Sequence, residues 1–559
     1  LCDWSSDVCS SDLQVYTLVA GDADQDGDLD LYDTRYHRGD HEASPPLPYH
    51  DARNGAANHL WVNRGDRGFV DGTEAFGLDE GNDRYSLAAI WHDLDRDGDL
   101  DLYVTNDFGR NNDYRNEGGR FRDVAASSGA LDMAAGMGVA IADVDRDGLD
   151  DLYVSNMWSA AGARVTQHPR FMQRHPEGVR GMYAHHAAGN TLLLGQPDGT
   201  FRDESLAAGL SPGGWSWGSI LFDWDNDGYA DAFVPNGFTT MWTGREAASY
   251  FWRVVVESSP ATPPLPGNYQ RNWQFLTHLG QVEGWSLAGS EGNRAYANRG
   301  GRFTDVSGAV GLGHVEDGRS AVTLDLDGDG RLELITKNRT APLVRAFQNV
   351  ASDPGGWISI ELEGPSPNTE AIGAVVTVRA GGREQRRTVH AGEGYLASPS
   401  KRLHFGLGDE DLEEVRVLWP FGEERSYGAL ESGRAWHLTL DGPAEVSPLS
   451  VPLPAAGTPL PVGAGPFRSR VPLVVTLPWA GWRLPSFDGA ERVTGADDGA
   501  LAVVAWAGWD DPSRALLREL GSTTERLAKA GARIHPLSMD EPQAEAWARG
   551  DIATTGLTE

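Results

Sequence analysis

Carboxylates that recur in an acidic nine-residue pattern are the residues of this 559-residue chain best suited to chemistry. The pattern, D-x-D-x-D-G-x-x-(D/E), reads DADQDGDLD from Asp22, DLDRDGDLD from Asp93, DVDRDGLDD from Asp143, DWDNDGYAD from Asp223 and DLDGDGRLE from Asp325. Ca²⁺ takes about six to eight oxygen ligands, and a sharp turn at the glycine of position 6 would let one such loop surround an ion. The pattern predicts up to five calcium ions.

Each copy offers the same five predicted ligands, which are carboxylates at positions 1, 3, 5 and 9 and the backbone carbonyl of position 7. They are Asp22, Asp24, Asp26, Asp28 and Asp30; Asp93, Asp95, Asp97, Asp99 and Asp101; Asp143, Asp145, Asp147, Leu149 and Asp151; Asp223, Asp225, Asp227, Tyr229 and Asp231; and Asp325, Asp327, Asp329, Arg331 and Glu333. A solvated acidic turn is the alternative for any single copy. Five such turns without a cation would hold mutually repelling carboxylates.

The flanking residues distinguish these loops from an EF-hand, which needs a Glu at position 12 and a helix on each side. Position 12 is occupied here by Asp33, Val104, Val154, Val234 and Thr336. Runs such as SLAAIWHD before a loop and LYVTN after it alternate as β-strands do. An EF-hand or a dockerin is therefore excluded, and each loop is predicted to join the strands of a β-hairpin.

A second repeated phrase lies between the acidic loops. It begins at Asn58, Asn112, Asn190 and Asn293, and it predicts two short strands joined by a glycine-rich turn, followed by a bend of small residues. Together with the calcium hairpin this makes about four strands per repeat, the content of one propeller blade. We expect a mainly β fold.

Residues 14–350 resemble the FG-GAP/VCBS family, whose propellers include the integrin α-subunit head. The calcium loops carry this resemblance, which is closest to bacterial, cartilage acidic protein-like members. It implies a seven-bladed calcium-binding β-propeller with its ions in hairpin loops at the rim. Four full repeats and a fifth calcium hairpin are present, so we expect that the N-terminus has been truncated.

Residues 355–440 alternate over six short runs that predict a small β-sandwich. The phrases IGAVVTVRAGG, GEGYLASPSKRLHFGLGD and VRVLWPFG resemble the ASPIC/UnbV domain, which follows FG-GAP repeats in cartilage acidic protein relatives. No activity comes with this resemblance. His390, Glu393 and His404 could form a catalytic group, but the sequence does not bring them together.

The C-terminal part of the sequence predicts a different fold class. Residues 441–480 are rich in proline and predict an extended linker. Residues 481–559 follow a β-α-β order that resembles an incomplete, exported thioredoxin-like domain of the TlpA type. The two redox positions of that family are Asp510 and Ser513 here, so thiol–disulfide exchange is excluded at this site.

Two insertions, 157–189 and 238–290, interrupt the repeats with helix-like stretches. Long insertions in repeat proteins often lie on a binding face. The aromatic residues of the second one form either a carbohydrate or partner surface or a cap that packs on itself. They are Trp242, Tyr250, Trp252, Tyr269 and Trp273. The histidines of the first, at 168, 175, 185 and 186, match no zinc spacing.

The first thirteen residues need separate treatment. Residues 3–13, DWSSDVCSSDL, resemble a translated sequencing adapter, so residues 1–13 are predicted to be an artefact and the natural chain to begin near Gln14. A genuine polar tail is the alternative. Both cysteines, Cys2 and Cys9, lie here, so the rest of the chain offers no disulfide or thiolate.

The formal charge of −34 disfavours nucleic acid and anionic lipid as partners, and no apolar run is long enough for a transmembrane segment. Calcium modules of this kind bind too weakly to fill in a calcium-poor cytosol. We therefore expect an extracellular, cell-surface or periplasmic, non-catalytic scaffold for adhesion or for protein or glycan binding. The alternatives are a polysaccharide hydrolase or lyase with its site on the propeller face, and a redox accessory protein acting through the tail.

Overall fold

A computed structural model describes residues 15–36, 44–352 and 354–447, together with the backbone of residues 483–485, 491–493, 500–506 and 532–538. The chain divides into two compact units, Leu1–Ala464 and Gly465–Glu559. The first unit is mainly β, and nearly all of its strands pair in antiparallel sheets. The prediction of a mainly β fold is confirmed.

Five successive antiparallel sheets follow the order of the sequence repeats. The first three comprise β1 (Val15–Gly21), β2 (Asp30–Arg35), β3 (His59–Asn63) and β4 (Phe69–Asp71); β5 (Tyr85–His92), β6 (Asp101–Asp107), β8 (Asn112–Asn116) and β9 (Phe121–Asp123); and β11 (Gly138–Ala142), β12 (Asp151–Ser155), β13 (Thr191–Gly195) and β14 (Phe201–Asp203). A two-stranded ribbon, β7 (Gly109–Arg110) with β10 (Met133–Ala134), connects the second and third.

The fourth and fifth sheets complete the described repeats. They comprise β15 (Ile220–Phe222), β16 (Asp231–Val234), β17 (Arg294–Asn298) and β18 (Phe303–Asp305); and β19 (Gly318–Leu324), β20 (Glu333–Asn338) and β21 (Val344–Phe347). These five sheets are called blades 1 to 5 below. The sequence predicted four full repeats and a fifth hairpin, and β21 adds a third strand to that hairpin. The blade number of the natural protein stays a prediction.

Neighbouring blades pack face to face because the first strands of blades 2 to 4 are apolar on both faces. In β5, the side chain of Trp91 packs towards blade 1 with Tyr32, at 6.3 Å between ring centroids. The adjacent Ile90 packs towards blade 3 with Val139. This alternation repeats between the later blades, so successive sheets share buried cores as propeller blades do.

The β-sandwich follows the fifth blade within the same unit. One sheet comprises β22 (Gly356–Glu363), β25 (Leu403–Gly408), β28 (Arg434–Thr439) and β29 (Glu445–Val446), and the other comprises β23 (Val375–Ala380), β24 (Arg383–Thr388), β26 (Leu412–Leu418) and β27 (Glu424–Gly428). Aliphatic residues from both sheets, including Ile358, Val376 and Val415, form one core. The sequence predicted six of these eight strands. It missed β27, whose residues are largely exposed, and the two-residue β29.

Among the described residues, α-helices lie in the two insertions and in bends between strands. The bends contain α1 (Ala125–Ser128) and α4 (Ser205–Ala208), each ending at a left-handed glycine. The first insertion forms α2 (Ala160–Thr166) and α3 (Glu177–His186), and the second forms α5 (Ala248–Tyr250), a π turn (Phe251–Val255) and α6 (Gly267–Gln281). The predicted helical insertions are confirmed. Within the described part of the chain, no helix has the length and apolar character needed to cross a bilayer.

The second unit is described only by short backbone segments. Strands β30 (Arg483–Pro485) and β31 (Glu491–Val493) pair antiparallel, and β32 (Ala500–Trp506) and β33 (Ala532–Ser538) pair in parallel. The last two strands lie where the sequence predicted strands. The predicted helix between them, Asp510, Ser513, most of the predicted linker and residues 1–13 lie outside the described residues, and the thioredoxin-like assignment stays a prediction.

Candidate metal centres

Each acidic pattern forms the loop between the first and second strands of one blade. In all five loops the residue before position 1 pairs with the residue at position 9, and this pair closes the hairpin. The closing pairs are Gly21–Asp30, His92–Asp101, Ala142–Asp151, Phe222–Asp231 and Leu324–Glu333. The predicted hairpins are confirmed, and the strands on both sides exclude an EF-hand.

Two positions in each loop have left-handed backbone. The glycine of position 6 has a φ between 84° and 99° in all five loops, as the sequence predicted. Position 4 also has a positive φ, at Gln25, Arg96, Arg146, Asn226 and Gly328. One indication of this second turn was present in the sequence, namely Gly328 at position 4 of the last copy. The two turns direct backbone N–H groups inward, so that Asp22 accepts bonds from the N–H groups of Asp26 and Gly27 at 3.1 and 3.0 Å.

The carboxylates of positions 1, 3 and 9 come together in every loop. One oxygen from each of the three residues lies within 4.8 Å of the other two. The groups are Asp22, Asp24 and Asp30; Asp93, Asp95 and Asp101; Asp143, Asp145 and Asp151; Asp223, Asp225 and Asp231; and Asp325, Asp327 and Glu333. The carboxylate of position 5 instead accepts the N–H of position 7, as in Asp147 with Leu149 at 2.8 Å. Positions 5 and 7 therefore stay predicted ligands.

The carboxylate of position 9 connects its loop to the third strand of the same blade. In Asp231, Oδ2 accepts the N–H of Trp224 at 3.2 Å and Oδ1 accepts the N–H of Asn298 at 2.8 Å. The other four copies repeat both bonds at the equivalent positions. All five of these residues are almost fully buried. Position 9 therefore holds loop and sheet together as well as facing the other carboxylates.

Burial gives these carboxylates unusual electrostatics. It raises the pKa of Asp101 to about 8, that of Asp151 to about 8 and that of Asp231 to about 9, although backbone N–H groups oppose the shift. Neighbouring carboxylates of the same loop raise these pKa values further. A divalent cation among the three carboxylates would favour their charged forms.

Some loop oxygens are buried without a partner. The Oδ1 atom accepts no hydrogen bond from the described residues in four aspartates, which are Asp24, Asp93, Asp225 and Asp327. A buried carboxylate oxygen without a donor is costly unless a cation binds it. Because the donors are all hard oxygens, the residues present fit a divalent ion such as Ca²⁺ rather than a metal that prefers nitrogen or sulfur.

Asparagines that the sequence did not mark as functional connect the acidic loops of neighbouring blades. Each lies at the end of a third strand, or just after it, and donates its side-chain N–H to the position-2 carbonyl of the preceding blade's loop. The bonds are Asn116 to Ala23 at 3.4 Å, Asn298 to Val144 at 2.7 Å and Asn349 to Trp224 at 2.8 Å. Their signal was the asparagine that ends YRN, YAN and FQN. The third blade has Gly195 at this place.

Arginines beside three loops were also missed. They form ion pairs with loop carboxylates and so partly neutralise them. The pairs are Arg64 with Asp24 at 2.9 Å, Arg115 with Asp101 at 3.3 Å, and Arg299 with Asp225 at 2.8 Å. The recurrence of Asn-Arg or Arg-Asn at the end of the third strand was the available signal.

The sandwich rests directly on the fourth loop. Asn226, fully buried at position 4, bonds through its side-chain oxygen to His404 Nε2 at 2.7 Å and donates to the carbonyl of Gly330 in the fifth loop at 2.9 Å. Its own carbonyl accepts the N–H of Gly408 at 2.7 Å. Gly406 lies so close that a Cβ there would approach Asp223 Oδ2 to 2.0 Å. The fourth loop is thus both a candidate metal site and an interdomain contact.

A cavity of about 140 Å³, lined by both polar and apolar residues, lies between the blades and the sandwich. His390 Nε2 lies 3.2 Å from Nδ1 of His92, whose Nε2 lies 3.2 Å from a carboxylate oxygen of Asp150. Burial lowers the pKa of His390 to about 3 and raises that of Glu393 to about 7. His390, Glu393 and His404 all line the cavity, which the sequence did not indicate, but no hydrogen bond joins any two of them within the described chain.

The aromatic residues of the second insertion pack mostly inward. Trp252 and Tyr269 are fully buried, and Trp273 lies against Tyr269 at 6.3 Å between ring centroids. Tyr250 is partly buried, and Trp242 is 55% exposed. This packing favours the cap over a continuous aromatic binding surface.

The histidines of the first insertion are also dispersed. His185 Nε2 lies 2.8 Å from Asp132, and His186 is buried. Neither these two nor His168 and His175 belong to any metal-sized group among the described residues.

Two family models match parts of the chain. The FG-GAP-like repeat model matches residues 93–154, which contain the second and third acidic loops with their strands. The ASPIC and UnbV model matches residues 364–444, which form most of the sandwich. The chain contains an FG-GAP-like repeat and an ASPIC/UnbV domain. FG-GAP-like repeats imply a propeller-like fold, in agreement with the face-to-face blades.

The chain is also similar to curated animal proteins. It is 24% identical to cartilage acidic protein 1 of Mus musculus over 322 residues, which cover 54% of this chain and 44% of that protein. It is 27% identical to cartilage acidic protein 1 of Xenopus tropicalis over 335 residues, covering 58% of this chain and 40% of that protein. The chain thus spans less than half of the length of the relatives that it matches.

Proposed function

We propose that this chain is an exported, calcium-stabilised β-propeller scaffold that binds a protein or a glycan and has no catalytic role. The observation that carries the proposal is the repetition of one loop geometry five times, each time with three carboxylates within 4.8 Å of one another. Five such groups at equivalent places in five blades are hard to reconcile with chance surface acidity. They support a common structural role.

Calcium is the ion that these loops suit best. The gathered donors are carboxylate oxygens alone, and each loop can add a further carboxylate from position 5 and a carbonyl from position 7. Modules of this kind typically bind Ca²⁺ at about 0.1–1 mM, so they fill outside the cytosol. This affinity range supports export.

A bound ion would stabilise the architecture through contacts that the chain already makes. The position-9 carboxylate would hold the ion while its two accepted N–H bonds hold the loop and the third strand. In the fourth loop the same rigidity would extend to the sandwich through Asn226 and His404. The loop carboxylates, which are the groups best suited to chemistry, therefore stabilise the structure. This supports a scaffold rather than a hydrolase or lyase.

Calorimetric titration of the full chain with Ca²⁺ tests the metal part of this proposal. We expect heat of binding and a higher Tm, with up to five ions bound. Asp151→Asn should remove one ion, whereas Asp198→Asn, in an exposed turn outside the acidic patterns, should remove none. Absence of binding heat, together with a Tm that EDTA leaves unchanged, would contradict the proposal.

The binding role needs its own experiment. The full chain is screened on a glycan array with Ca²⁺ and with EDTA, and the bound glycans are then analysed for cleavage. Calcium-dependent retention of intact glycan supports the scaffold. Release of shortened or unsaturated products identifies a hydrolase or lyase instead.

A further inference from the structure

The first insertion differs in charge from the rest of the chain. Residues 157–189 contain four arginines and one acidic residue, whereas the whole chain has a formal charge of −34. The second insertion, 238–290, has three arginines and three glutamates and is neutral. The first insertion is thus a basic segment in a strongly acidic protein.

The four arginines make no ion pair and no side-chain hydrogen bond within the described residues. Arg164, Arg170 and Arg174 are exposed, and Arg180 is half-buried with its Nε buried and lacking an acceptor. The arginines beside the acidic loops, by contrast, pair with carboxylates. The positive charge of the insertion is therefore not neutralised by the described chain.

Buried neighbours fix the backbone that carries these side chains. Phe171 and Met172 are buried, and the Phe171 ring packs edge-on against Tyr183 at 5.7 Å between centroids. Turns on either side of this pair hold the chain, because the N–H of Phe171 bonds to the carbonyl of His168 and the N–H of His175 to that of Met172, each at 2.9 Å. Arg170 and Arg174 thus flank an anchored segment, so the backbone that carries them loses little conformational entropy when they bind a ligand.

We propose that the insertion over 157–189 binds a sulfated polysaccharide. A planar, weakly hydrated guanidinium donates paired hydrogen bonds to oxyanions, and several on one rigid segment suit a chain with repeated sulfates. Nucleic acid is disfavoured because the aromatic rings Phe171 and Tyr183 are buried and cannot stack on bases. The proposal deepens the binding role proposed above and rests on it.

Heparin is the probe for the test, with the full chain in 1 mM Ca²⁺ at about 0.15 M NaCl. The triple variant Arg164→Gln, Arg170→Gln, Arg174→Gln should raise the Kd for heparin about tenfold or more. Each arginine–sulfate ion pair that is lost removes a modest part of the binding free energy, and three are lost together. The matched control removes the same charge from exposed arginines of the first two blades, with Arg67→Gln, Arg120→Gln and Arg122→Gln. The control should change the Kd less than threefold (about 0.6 kcal/mol).

Other outcomes overturn the proposal. It is wrong if the chain does not bind heparin, if both triple variants weaken binding equally, or if polygalacturonate, which carries only carboxylates, binds as tightly as heparin. Tighter binding of duplex DNA would assign the segment to nucleic acid instead. The Tm of each variant with and without EDTA is measured on the same samples, so a failed calcium scaffold is distinguished from a failed polysaccharide site.

Discussion

The contact between the sandwich and the fourth loop can be tested by one added methyl group. Gly406 is buried in β25, and a Cβ at this position would lie 2.0 Å from Asp223 Oδ2 and 2.5 Å from Asn226 Cα. Both distances are far below van der Waals contact, and the second involves backbone that cannot rotate away. Gly406→Ala must therefore displace either the sandwich or the fourth acidic loop.

The expected cost follows from the contacts that would be lost. Overpacking of a well-packed contact costs about 1–3 kcal/mol, and release of the buried bond between Asn226 and His404 adds about 1 kcal/mol. We expect Gly406→Ala to lower the free energy of unfolding by about 2–4 kcal/mol in total. Since Asp223 is also a predicted position-1 ligand, one calcium ion should bind more weakly.

Gly308→Ala provides the control, because a Cβ there meets nothing within 4 Å and its φ is not left-handed. Both variants and the wild type are compared by thermal unfolding and by calorimetric Ca²⁺ titration. Equal Tm values and equal calcium stoichiometries for Gly406→Ala and Gly308→Ala would refute the assignment of this loop as an interdomain joint.

Three further predictions concern the blades. Replacing 1 mM Ca²⁺ by EDTA should cost about 1.4 kcal/mol for each site with a Kd of about 0.1 mM, measured as a fall in Tm. Asn298→Ala should destabilise the protein by about 1–3 kcal/mol in denaturant unfolding, because it removes two donated bonds of 2.7 and 2.8 Å to the carbonyls of Val144 and Ala230. Asn63→Ala should cost less, since it removes one donated bond of 3.4 Å; each variant also loses one bond accepted from a nearby backbone N–H, and equal losses would contradict the interblade link. Burial raises the pKa of Asp107 to about 7, so the contribution of its protonated form to stability is full below about pH 4 and is lost as the pH rises through about 7. The free energy of unfolding of the wild type relative to Asp107→Asn should therefore fall over this pH window at saturating Ca²⁺. A difference that does not change with pH would contradict this prediction.

The conformation of the acidic loops was predictable because its determinants are local. Strand alternation, the glycine of position 6 and the spacing of carboxylates all lie close together in the sequence, and the hairpins form where the sequence predicted them. The left-handed residue at position 4 was less predictable, since Asn226 and Gly328 favour this conformation but glutamine and arginine occupy it in the other three loops.

Contacts between distant parts of the chain lay beyond the sequence. His92 and His390 are 298 positions apart, and Asn226 and His404 are 178 apart, so only the packing of the sandwich on the blades brings them together. The aromatic insertion was ambiguous for a different reason. Short helices rich in aromatic residues can turn those side chains inward or outward, and tertiary packing buries Trp252 and Tyr269 here.

The asparagine bonds between blades all point the same way along the chain, from a third strand back to the loop before it. The side chains at position 4 donate in the opposite sense, from one loop to the next, as in Arg96 to the carbonyl of Gly148 and Asn226 to that of Gly330. Each inner loop is therefore clasped from both sides, and damage to one loop should be inherited by the blade before it and the blade after it. Hydrogen exchange after loss of the third loop would show this as faster amide exchange near both Arg96 and Asn298, with little change near the more distant Asn349. Such a two-way clasp would make the blades come apart as a connected group and not one at a time.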